Sequence, residues 1–181
     1  RGTVRVEFIH QFFALHGGAS IHIKWVNDLW RDGRKVCGIL TEASLDVESG
    51  LLDYAIVGPG FNLMPPPDGW PDELQGIAGS LFDAAPPPGA RAKLAAAFLN
   101  EFWPLYRRGR TSCFLPEYRA RQALPGCTVQ VCPGRGAPYT ATVLAVDDEC
   151  RLVVRPCGRT ETVALSSGEV HILPAAPATS L

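Results

Sequence analysis

Residues 21–43 read IHIKWVNDLWRDGRKVCGILTEA, and this stretch decides the fold prediction. Ile21 and Ile23 alternate with polar residues, which predicts a short strand with one buried face. Asp32-Gly33 is a hairpin turn signal, and the nearly continuous apolar run that follows it predicts a second strand with Gly38 in its interior. A glycine inside a strand often marks a place where a ligand approaches the backbone closely. The stretch therefore predicts a β-hairpin with a candidate ligand contact.

Further strand and helix patterns lie on both sides of this hairpin. Apolar residues at helical spacing predict a helix over residues 4–15 and a longer helix from Ala90, whose last turn Pro104 should kink or shorten. A strand is predicted from Leu51 to Val57, and it should stop at Gly58. Short helices are predicted at Leu74–Phe82 and Phe114–Gln122.

After Gly126 the pattern changes to short β-branched runs separated by turn residues. The predicted strands are Thr128–Cys132, Tyr139–Val146, Leu152–Arg155 and Thr160–Leu165. Several short strands in so few residues indicate a small barrel. The sequence thus predicts an α+β fold with domains over residues 1–122 and 123–173 and a disordered tail over residues 174–181.

Composition excludes several classes of protein. The chain has 181 residues, 46% of them hydrophobic, and its formal net charge is −1, which is typical of a globular domain and not of a protein that binds nucleic acid through a strong basic field. No apolar run is long enough to cross a bilayer, and the first residues do not resemble a signal peptide. The 6 cysteines include no C-x-x-C pair, which favours free thiols over disulfides or zinc. We therefore expect a cytoplasmic protein with no membrane partner.

Lys24-Trp25-Val26-Asn27-Asp28 is the pentapeptide with the most informative chemistry. Lys24 ends a strand with apolar neighbours, so its ammonium can be held between two anions, such as a carboxylate attacking a phosphate. Asn27 and Asp28 follow at a turn, where short polar side chains cap backbone groups or contact a ligand. Spacing alone favours a surface lysine beside an Asx turn.

Gly58-Pro59-Gly60-Phe61-Asn62 is the second candidate motif. Glycines directly after a strand let a ligand approach the backbone, and Asn62 can both donate and accept hydrogen bonds. A tight turn without a ligand fits the glycines equally well. No G-x-S-x-G elbow accompanies the motif, which sets aside a classical triad hydrolase.

Taken in order, these motifs resemble those of the biotin protein ligases, also called biotin–[acetyl-CoA-carboxylase] ligases. The family pattern is K-W-P-N-D, then G-K-x-x-G-I-L-x-E, then a strand ending in G-x-G-x-N. The corresponding stretches here are residues 24–28, 33–42 and 58–62, and Leu165–Val170 resembles the last strand of the family's C-terminal domain. The resemblance implies a mixed sheet with packed helices, as in part of a class II synthetase-like ligase core, plus a small SH3-like C-terminal β-barrel.

The resemblance also implies a reaction in two steps. Biotin and Mg-ATP form biotinyl-5′-AMP, which then acylates a lysine of a biotin carboxyl carrier protein. The cofactors implied are ATP and Mg²⁺, and biotin is the substrate. Lys24 would be catalytic and would bind biotin together with Gly38 and Ile39. The implied nucleotide-binding residues are Asn27, Gly58, Gly60 and Asn62, and Asp28 is the implied magnesium contact.

The sequence departs from the family pattern in ways that bear on activity. Val26 replaces the usual proline and leaves the turn less preorganised, and Pro59 removes a backbone N–H that could meet a phosphate. The family's G-R-G-R-x-G-R loop, which folds over biotin and the adenylate, has no counterpart before Ile21. Because residue 1 is Arg1 rather than Met, we expect an N-terminally truncated ligase whose 181-residue form has weak or absent activity.

Other functions remain open at this point. A lipoate ligase-like enzyme shares the fold and the lysine, although the context of Trp25 and the C-terminal strands favour biotin. A non-catalytic module could bind the carrier protein or form a homodimer through its exposed sheet. A biotin-responsive repressor would need an N-terminal helix-turn-helix, and only that domain would give the protein a nucleic-acid partner.

Overall fold

The computed structural model describes residues 21–46, 48–108, 114–134 and 136–173, and it divides into two compact units, Arg1–Thr111 and Ser112–Leu181. The described residues form two antiparallel sheets with a few helices, so the predicted α+β class is confirmed. The helix predicted over residues 4–15 and the tail predicted over residues 174–181 lie outside the described residues.

The first unit is built on a four-stranded sheet whose strands follow one another in chain order. The strands are β1 (Ile21–Lys24), β2 (Asp28–Arg31), β3 (Arg34–Leu45) and β4 (Leu52–Phe61). Asp32 and Gly33 both have positive φ, 51° and 74°, which is the backbone that a two-residue hairpin turn requires. The predicted hairpin is therefore confirmed, and Ile21 and Ile23 are buried as predicted.

The glycine motif lies inside β4, so the predicted end of this strand at Gly58 is wrong. β4 continues to Phe61, and Pro59 pairs with Ile39 of β3. A proline is tolerated there because β4 is the edge strand of the sheet, where a missing N–H removes no ladder hydrogen bond.

The helix predicted over Leu74–Phe82 is also wrong, since only a 3-10 turn at Asp72–Leu74 is present in that region. The backbone beyond it pairs with β3 instead: the Lys35 N–H donates to the Ile77 carbonyl at 2.8 Å, and the Gly79 N–H donates to the Lys35 carbonyl at 2.8 Å. Lys35 and Ala78 thus form an isolated parallel β-bridge beside the antiparallel strands. A Cβ on Gly79 would lie 2.8 Å from Cβ of Arg34, so the close approach depends on glycine.

The long predicted helix is present as α1 (Ala90–Arg108), which continues through Pro104. Its buried side chains are Ala90, Leu94 and Phe98, at the helical spacing that the sequence shows. Within the described residues, no helix has both the length and the apolar character that crossing a membrane would require.

The second unit begins with the short helix α2 (Leu115–Ala120) and continues as an antiparallel sheet. Its strands are β5 (Thr128–Cys132), β6 (Tyr139–Val146), β7 (Leu152–Pro156), β8 (Val163–Leu165) and β9 (Glu169–Ile172). Their order is β8-β7-β6-β5-β9, so β8 and β9 are the two edges, and the pairings in residues 114–134 and 136–173 do not close the sheet into a barrel.

Helix α2 belongs to this second unit. Arg119 Nε donates to the carbonyl of Val146 at 2.8 Å, and Leu115 and Tyr118 are buried. The compact units therefore group α2 with residues 123–173, while the domain limits of residues 1–122 and 123–173 stay a prediction.

Candidate functional site

Four of the residues singled out in the sequence form one row across the first sheet. Lys24 pairs with Asp28, Asp28 with Gly38, and Gly38 with Gly60. Residues that are directly opposite on neighbouring strands project from the same face of a sheet. This site row, Lys24-Asp28-Gly38-Gly60, therefore places a cation, a carboxylate and two glycines on one face.

The glycine end of the site row is bare backbone. A Cβ on Gly60 would lie 3.8 Å from the Gly38 carbonyl oxygen, and Gly58 pairs with Leu40 two residues further along the same face. Gly58 and Gly60 are both exposed. A ligand can therefore lie against the backbone of β3 and β4 here, in a way that side chains would prevent.

Lys35 joins this site, although the sequence prediction missed it. Its Nζ lies 2.8 Å from Oδ1 of Asp28. A Cβ on Gly38 would lie 2.9 Å from Lys35 Cε and 3.0 Å from Lys35 Nζ, so the lysine side chain crosses directly above Gly38. The site thus contains a second ammonium, next to the glycines.

A β-bulge explains how Lys35 reaches this face. Lys35 and Gly38 are three residues apart, so a regular strand would direct them to opposite faces. The register between β2 and β3 shifts between Leu29 and Trp30, and Trp30 pairs with Lys35 as a result. Bulges are known to redirect side chains beside functional sites. The only signal in the sequence was the position of Lys35 inside the G-K-x-x-G-I-L stretch.

Lys24 is held differently from Lys35. Its Nζ lies 5.2 Å from the ring centroid of Trp30, which is within the range of a cation–π interaction. Trp30 is two residues after Asp28 on β2, so it is on the same face as the site row. The two lysines therefore have different partners, a tryptophan ring and a carboxylate.

Asn27 and Ile39 tie the turn between β1 and β2 to β3. Asn27 Nδ2 donates to the Ile39 carbonyl at 2.6 Å, and the Ile39 N–H donates to the Asn27 carbonyl at 3.1 Å. Ile39 is adjacent to Gly38 in the strand, so its side chain is directed to the opposite face. The turn itself contains a cis peptide bond between Trp25 and Val26. That Asn27 and Ile39 contact substrates stays a prediction.

Asn62 connects three segments of backbone at the end of β4. Its Nδ2 donates to the Gly79 carbonyl at 3.0 Å and to the Lys35 carbonyl at 3.3 Å, and its own N–H donates to the Val36 carbonyl at 2.9 Å. These bonds give Asn62 a structural role. Its contact with a nucleotide stays a prediction.

Asp28 alone does not make a metal site. No group of three or more His, Cys, Asp or Glu residues is close enough to hold a metal in the part of the chain that the structure describes, and Asp28 is paired with Lys35. Magnesium in nucleotide enzymes is typically held by one or two carboxylates together with the substrate's phosphates. The residues present do not fit a magnesium site formed by protein ligands alone.

Cys37 lies beside the site but is not a nucleophile. Burial raises the pKa of its thiol to about 12, the negative charge of Asp28 adds to the rise, and Lys35 opposes it. A thiol with this pKa is neutral at physiological pH, and the thiolate is the reactive form. The buried, neutral thiol of Cys37 is therefore a poor candidate for covalent catalysis.

Comparison with known proteins finds similarity to biotin ligases, although no protein-family model matches the chain. The chain is 38% identical over 99 residues to the bifunctional ligase/repressor BirA of Bacillus subtilis (strain 168), which is 55% of this chain and 30% of that protein. It is 29% identical over 154 residues to the biotin–[acetyl-CoA-carboxylase] ligase of Mycobacterium tuberculosis (strain ATCC 25618 / H37Rv), which is 84% of this chain and 53% of that protein. Both relatives are named as biotin ligases, and the similarity to them covers the motifs described above.

The fold agrees with this sequence similarity. It is similar to the biotin protein ligase from Aquifex aeolicus in complex with biotin and ATP, with a TM-score of 0.68 and 15% sequence identity over 95% of this chain and 70% of that chain. The chain spans 30% and 53% of the lengths of the two curated relatives. The activity of a whole ligase is therefore a proposal for this chain.

Proposed function

We propose that this chain catalyses the ATP-dependent attachment of biotin to a lysine of a biotin carboxyl carrier protein through biotinyl-5′-AMP. The observation that carries the proposal is the site row together with Lys35, because they place two ammonium groups beside glycine backbone on one sheet face. A second support is the similarity to the biotin–[acetyl-CoA-carboxylase] ligase of Mycobacterium tuberculosis.

The first step needs charge stabilisation more than proton transfer. The biotin carboxylate is already an anion, so it can attack the α-phosphorus of ATP without a general base, and pyrophosphate leaves. The barrier arises because two negatively charged groups must approach each other. A fixed ammonium between them stabilises the charge that concentrates in the transition state.

The geometry favours Lys35 as the ammonium that stabilises this charge above the glycine backbone. The sequence motif instead assigns the role to Lys24. Lys35 crosses directly above Gly38, where a ligand on the bare backbone would meet its ammonium. Lys24 is directed toward Trp30 at the other end of the site row. We assign to Lys35 the contact with the reacting carboxylate and α-phosphate. Lys24 would contact a second anionic part of the substrates.

The glycines and asparagines define the remaining substrate contacts. The backbone at Gly38, over which the Lys35 side chain passes, and the adjacent Ile39 carbonyl held by Asn27 form one wall for biotin. The exposed backbone at Gly58 and Gly60 accommodates the nucleotide. A magnesium ion arriving with ATP would offset the charge of the phosphates, and Asp28 would supply at most one carboxylate to it.

In the second step, the neutral amine of the carrier lysine attacks the carbonyl carbon of biotinyl-5′-AMP. A C–N bond forms, the C–O bond to the phosphate breaks, AMP leaves as the leaving group, and the amine loses one proton to solvent. AMP is a good leaving group because the phosphate oxygen that departs is a weak base. The chain's own contribution to this step is to hold the adenylate on the glycine backbone.

The C-terminal unit, the location, the oligomeric state and a DNA-binding domain also belong to this proposal. The sheet of the second unit corresponds to the SH3-like barrel of the family. The cysteines of the described residues are all free thiols, which fits a cytoplasmic protein because that compartment is reducing. The homodimer and the DNA-binding domain stay predictions.

The test is the formation of biotinyl-5′-AMP and pyrophosphate from biotin and ATP, followed by biotin transfer to a carrier domain. It uses both the 181-residue chain and the protein encoded by its complete reading frame, with lipoate as the competing acid. We expect Lys35→Ala and Lys24→Ala each to lower pyrophosphate release by about 100-fold or more. Lys93→Ala, an exposed lysine of α1, is the matched control and should retain the full rate.

Each outcome of this assay has a clear meaning. No biotinyl-5′-AMP from the complete protein would refute the ligase proposal. Faster pyrophosphate release with lipoate would favour the lipoate ligase alternative. A normal rate in Lys35→Ala together with a large loss in Lys24→Ala would return the catalytic assignment to Lys24.

A further inference from the structure

Trp30 is a large aromatic residue of β2 that neighbours both lysines of the site. It is opposite Lys35 in the register of β2 and β3, and its ring is the surface over which the Lys24 ammonium lies, at 5.2 Å. Lys24 in turn is directly opposite Asp28. One ring and one carboxylate on β2 therefore face two ammonium groups.

The pairing in this cluster is specific. Asp28 is the direct cross-strand neighbour of Lys24, yet its Oδ1 is 2.8 Å from Nζ of Lys35, which comes from further along the sheet face. Directly opposite residues have Cβ atoms about 4.5–5.5 Å apart, which is within reach of a lysine–carboxylate ion pair. Some feature of the sheet must therefore favour Lys35 in the competition for Asp28.

We propose that Trp30 is a positioning residue that engages Lys24 by a cation–π interaction, so that Asp28 pairs with Lys35 and holds it above Gly38. Two ammonium groups then occupy two separate places on the face, one at each end of the cluster. This inference rests on the proposed function, because a reaction between a carboxylate and a triphosphate benefits from two separated positive charges.

The surroundings of the Trp30 indole agree with a role for its ring. Its Nε1 is buried and has no hydrogen-bond partner in the part of the chain that the structure describes. A buried polar group without a partner is costly, so the indole N–H is not what this position requires. The aromatic face is the feature that Lys24 contacts, and phenylalanine would offer a similar face without the unpaired N–H.

The first experiment observes the positioning directly and does not depend on activity. In NMR spectra of the 181-residue chain, the ring current of Trp30 should shift the ε-methylene protons of Lys24 upfield. Trp30→Leu should remove this shift and also move the Lys35 side-chain signals, because Lys24 then competes for Asp28. Trp30→Phe should keep both. Unchanged Lys24 and Lys35 signals in Trp30→Leu would overturn the inference.

The second experiment is a double-mutant cycle on biotinyl-5′-AMP formation by the protein encoded by the complete reading frame. We expect Trp30→Leu to lower the rate by about five- to tenfold and Trp30→Phe to retain it within about twofold. Because the effect acts through Lys24, Trp30→Leu should cause no further loss in a Lys24→Ala background. An equal loss in both backgrounds would show a purely structural role and would refute the proposal.

A matched control tests whether the effect of Trp30→Leu is specific to this position or follows from the loss of any tryptophan. Trp103 of α1 is 56% exposed, so Trp103→Leu should leave both the rate and the Lys24 signals unchanged. If the wild-type protein makes no adenylate, the proposed function fails, and the NMR comparison still decides whether Trp30 positions Lys24.

Discussion

Nζ of Lys35 is 2.8 Å from Oδ1 of Asp28, and the lysine side chain reaches that carboxylate by passing above Gly38. This relationship links two motifs that are separate in the sequence, since Asp28 belongs to β2 and Gly38 to β3. The Lys35 ammonium can take this position only because residue 38 has no side chain.

Gly38→Ala should therefore lower the activity without lowering the stability of the fold. The new Cβ would lie 2.9 Å from Lys35 Cε, so the flexible lysine must move away from Asp28. Alanine is favoured over glycine inside a strand by about 0.5–1 kcal/mol, so the free energy of unfolding in urea should stay constant or rise slightly. Pyrophosphate release should fall by about tenfold or more.

The control for this variant is Gly134→Ala, where an added Cβ meets nothing within 4 Å. It should change neither the rate nor the stability. Full activity in Gly38→Ala would show that the position of Lys35 above residue 38 is not needed for the reaction.

Asn62→Ala should destabilise the protein. Nδ2 of Asn62 donates to the carbonyls of Lys35 and Gly79, so the substitution leaves two partly buried acceptors without this donor. We expect a loss of about 1–2 kcal/mol in the free energy of unfolding, measured by urea denaturation. An unchanged unfolding free energy with a raised KM for ATP would instead support the nucleotide contact predicted from the sequence.

Alkaline pH should destabilise the fold through Cys37. Burial raises the pKa of this thiol from 9.0 to about 12, so between those pH values the unfolded chain loses a proton that the folded chain keeps. The unfolded state then binds fewer protons, and the free energy of unfolding must fall as pH rises through this range. Cys37→Ala should make the unfolding free energy less dependent on pH between pH 9 and 10.5.

Alkylation provides an independent check on this thiol. Cys157 is exposed, so iodoacetamide should modify it in the folded protein at pH 8, whereas Cys37 should react only after unfolding. Rapid native modification of Cys37, detected by peptide mass spectrometry, would contradict the buried neutral thiol.

Helix α2 should be needed for the stability of the second unit. Leu115 and Tyr118 are 5% and 3% exposed, and Arg119 bonds to the carbonyl of Val146 in β6. A fragment of residues 112–173 should therefore be more stable in urea than a fragment of residues 123–173, by about 2–4 kcal/mol for the buried side chains. Equal stability of the two fragments would support the limit predicted from the sequence.

The first hairpin could be predicted because its signals are local. The alternation at Ile21 and Ile23 and the turn residues Asp32-Gly33 each act within a few residues, and the structure places them as predicted. The strands of the second unit were predictable for the same reason, since β5 and β6 have the predicted ends.

Features that depend on neighbouring strands could not be predicted in this way. β4 continues through Pro59 because it is an edge strand, and its place in the sheet is not visible in its own residues. Lys35 faces Asp28 because the register shifts between Leu29 and Trp30 of β2. A bulge reverses the face of every residue beyond it, so counting alternate positions in β3 alone gives the wrong face for Lys35.

The backbone of Lys35 is fixed by hydrogen bonds to Ile77 and Gly79. Only its side chain needs to rotate for the ammonium to leave Asp28 and meet an incoming anion. Substrate entry then works as an ion exchange, in which Asp28 is the resident counter-ion that the carboxylate or phosphate displaces. A site with its own counter-ion releases fewer salt ions when it binds substrate, so its affinity should depend less on ionic strength than two free lysines would predict.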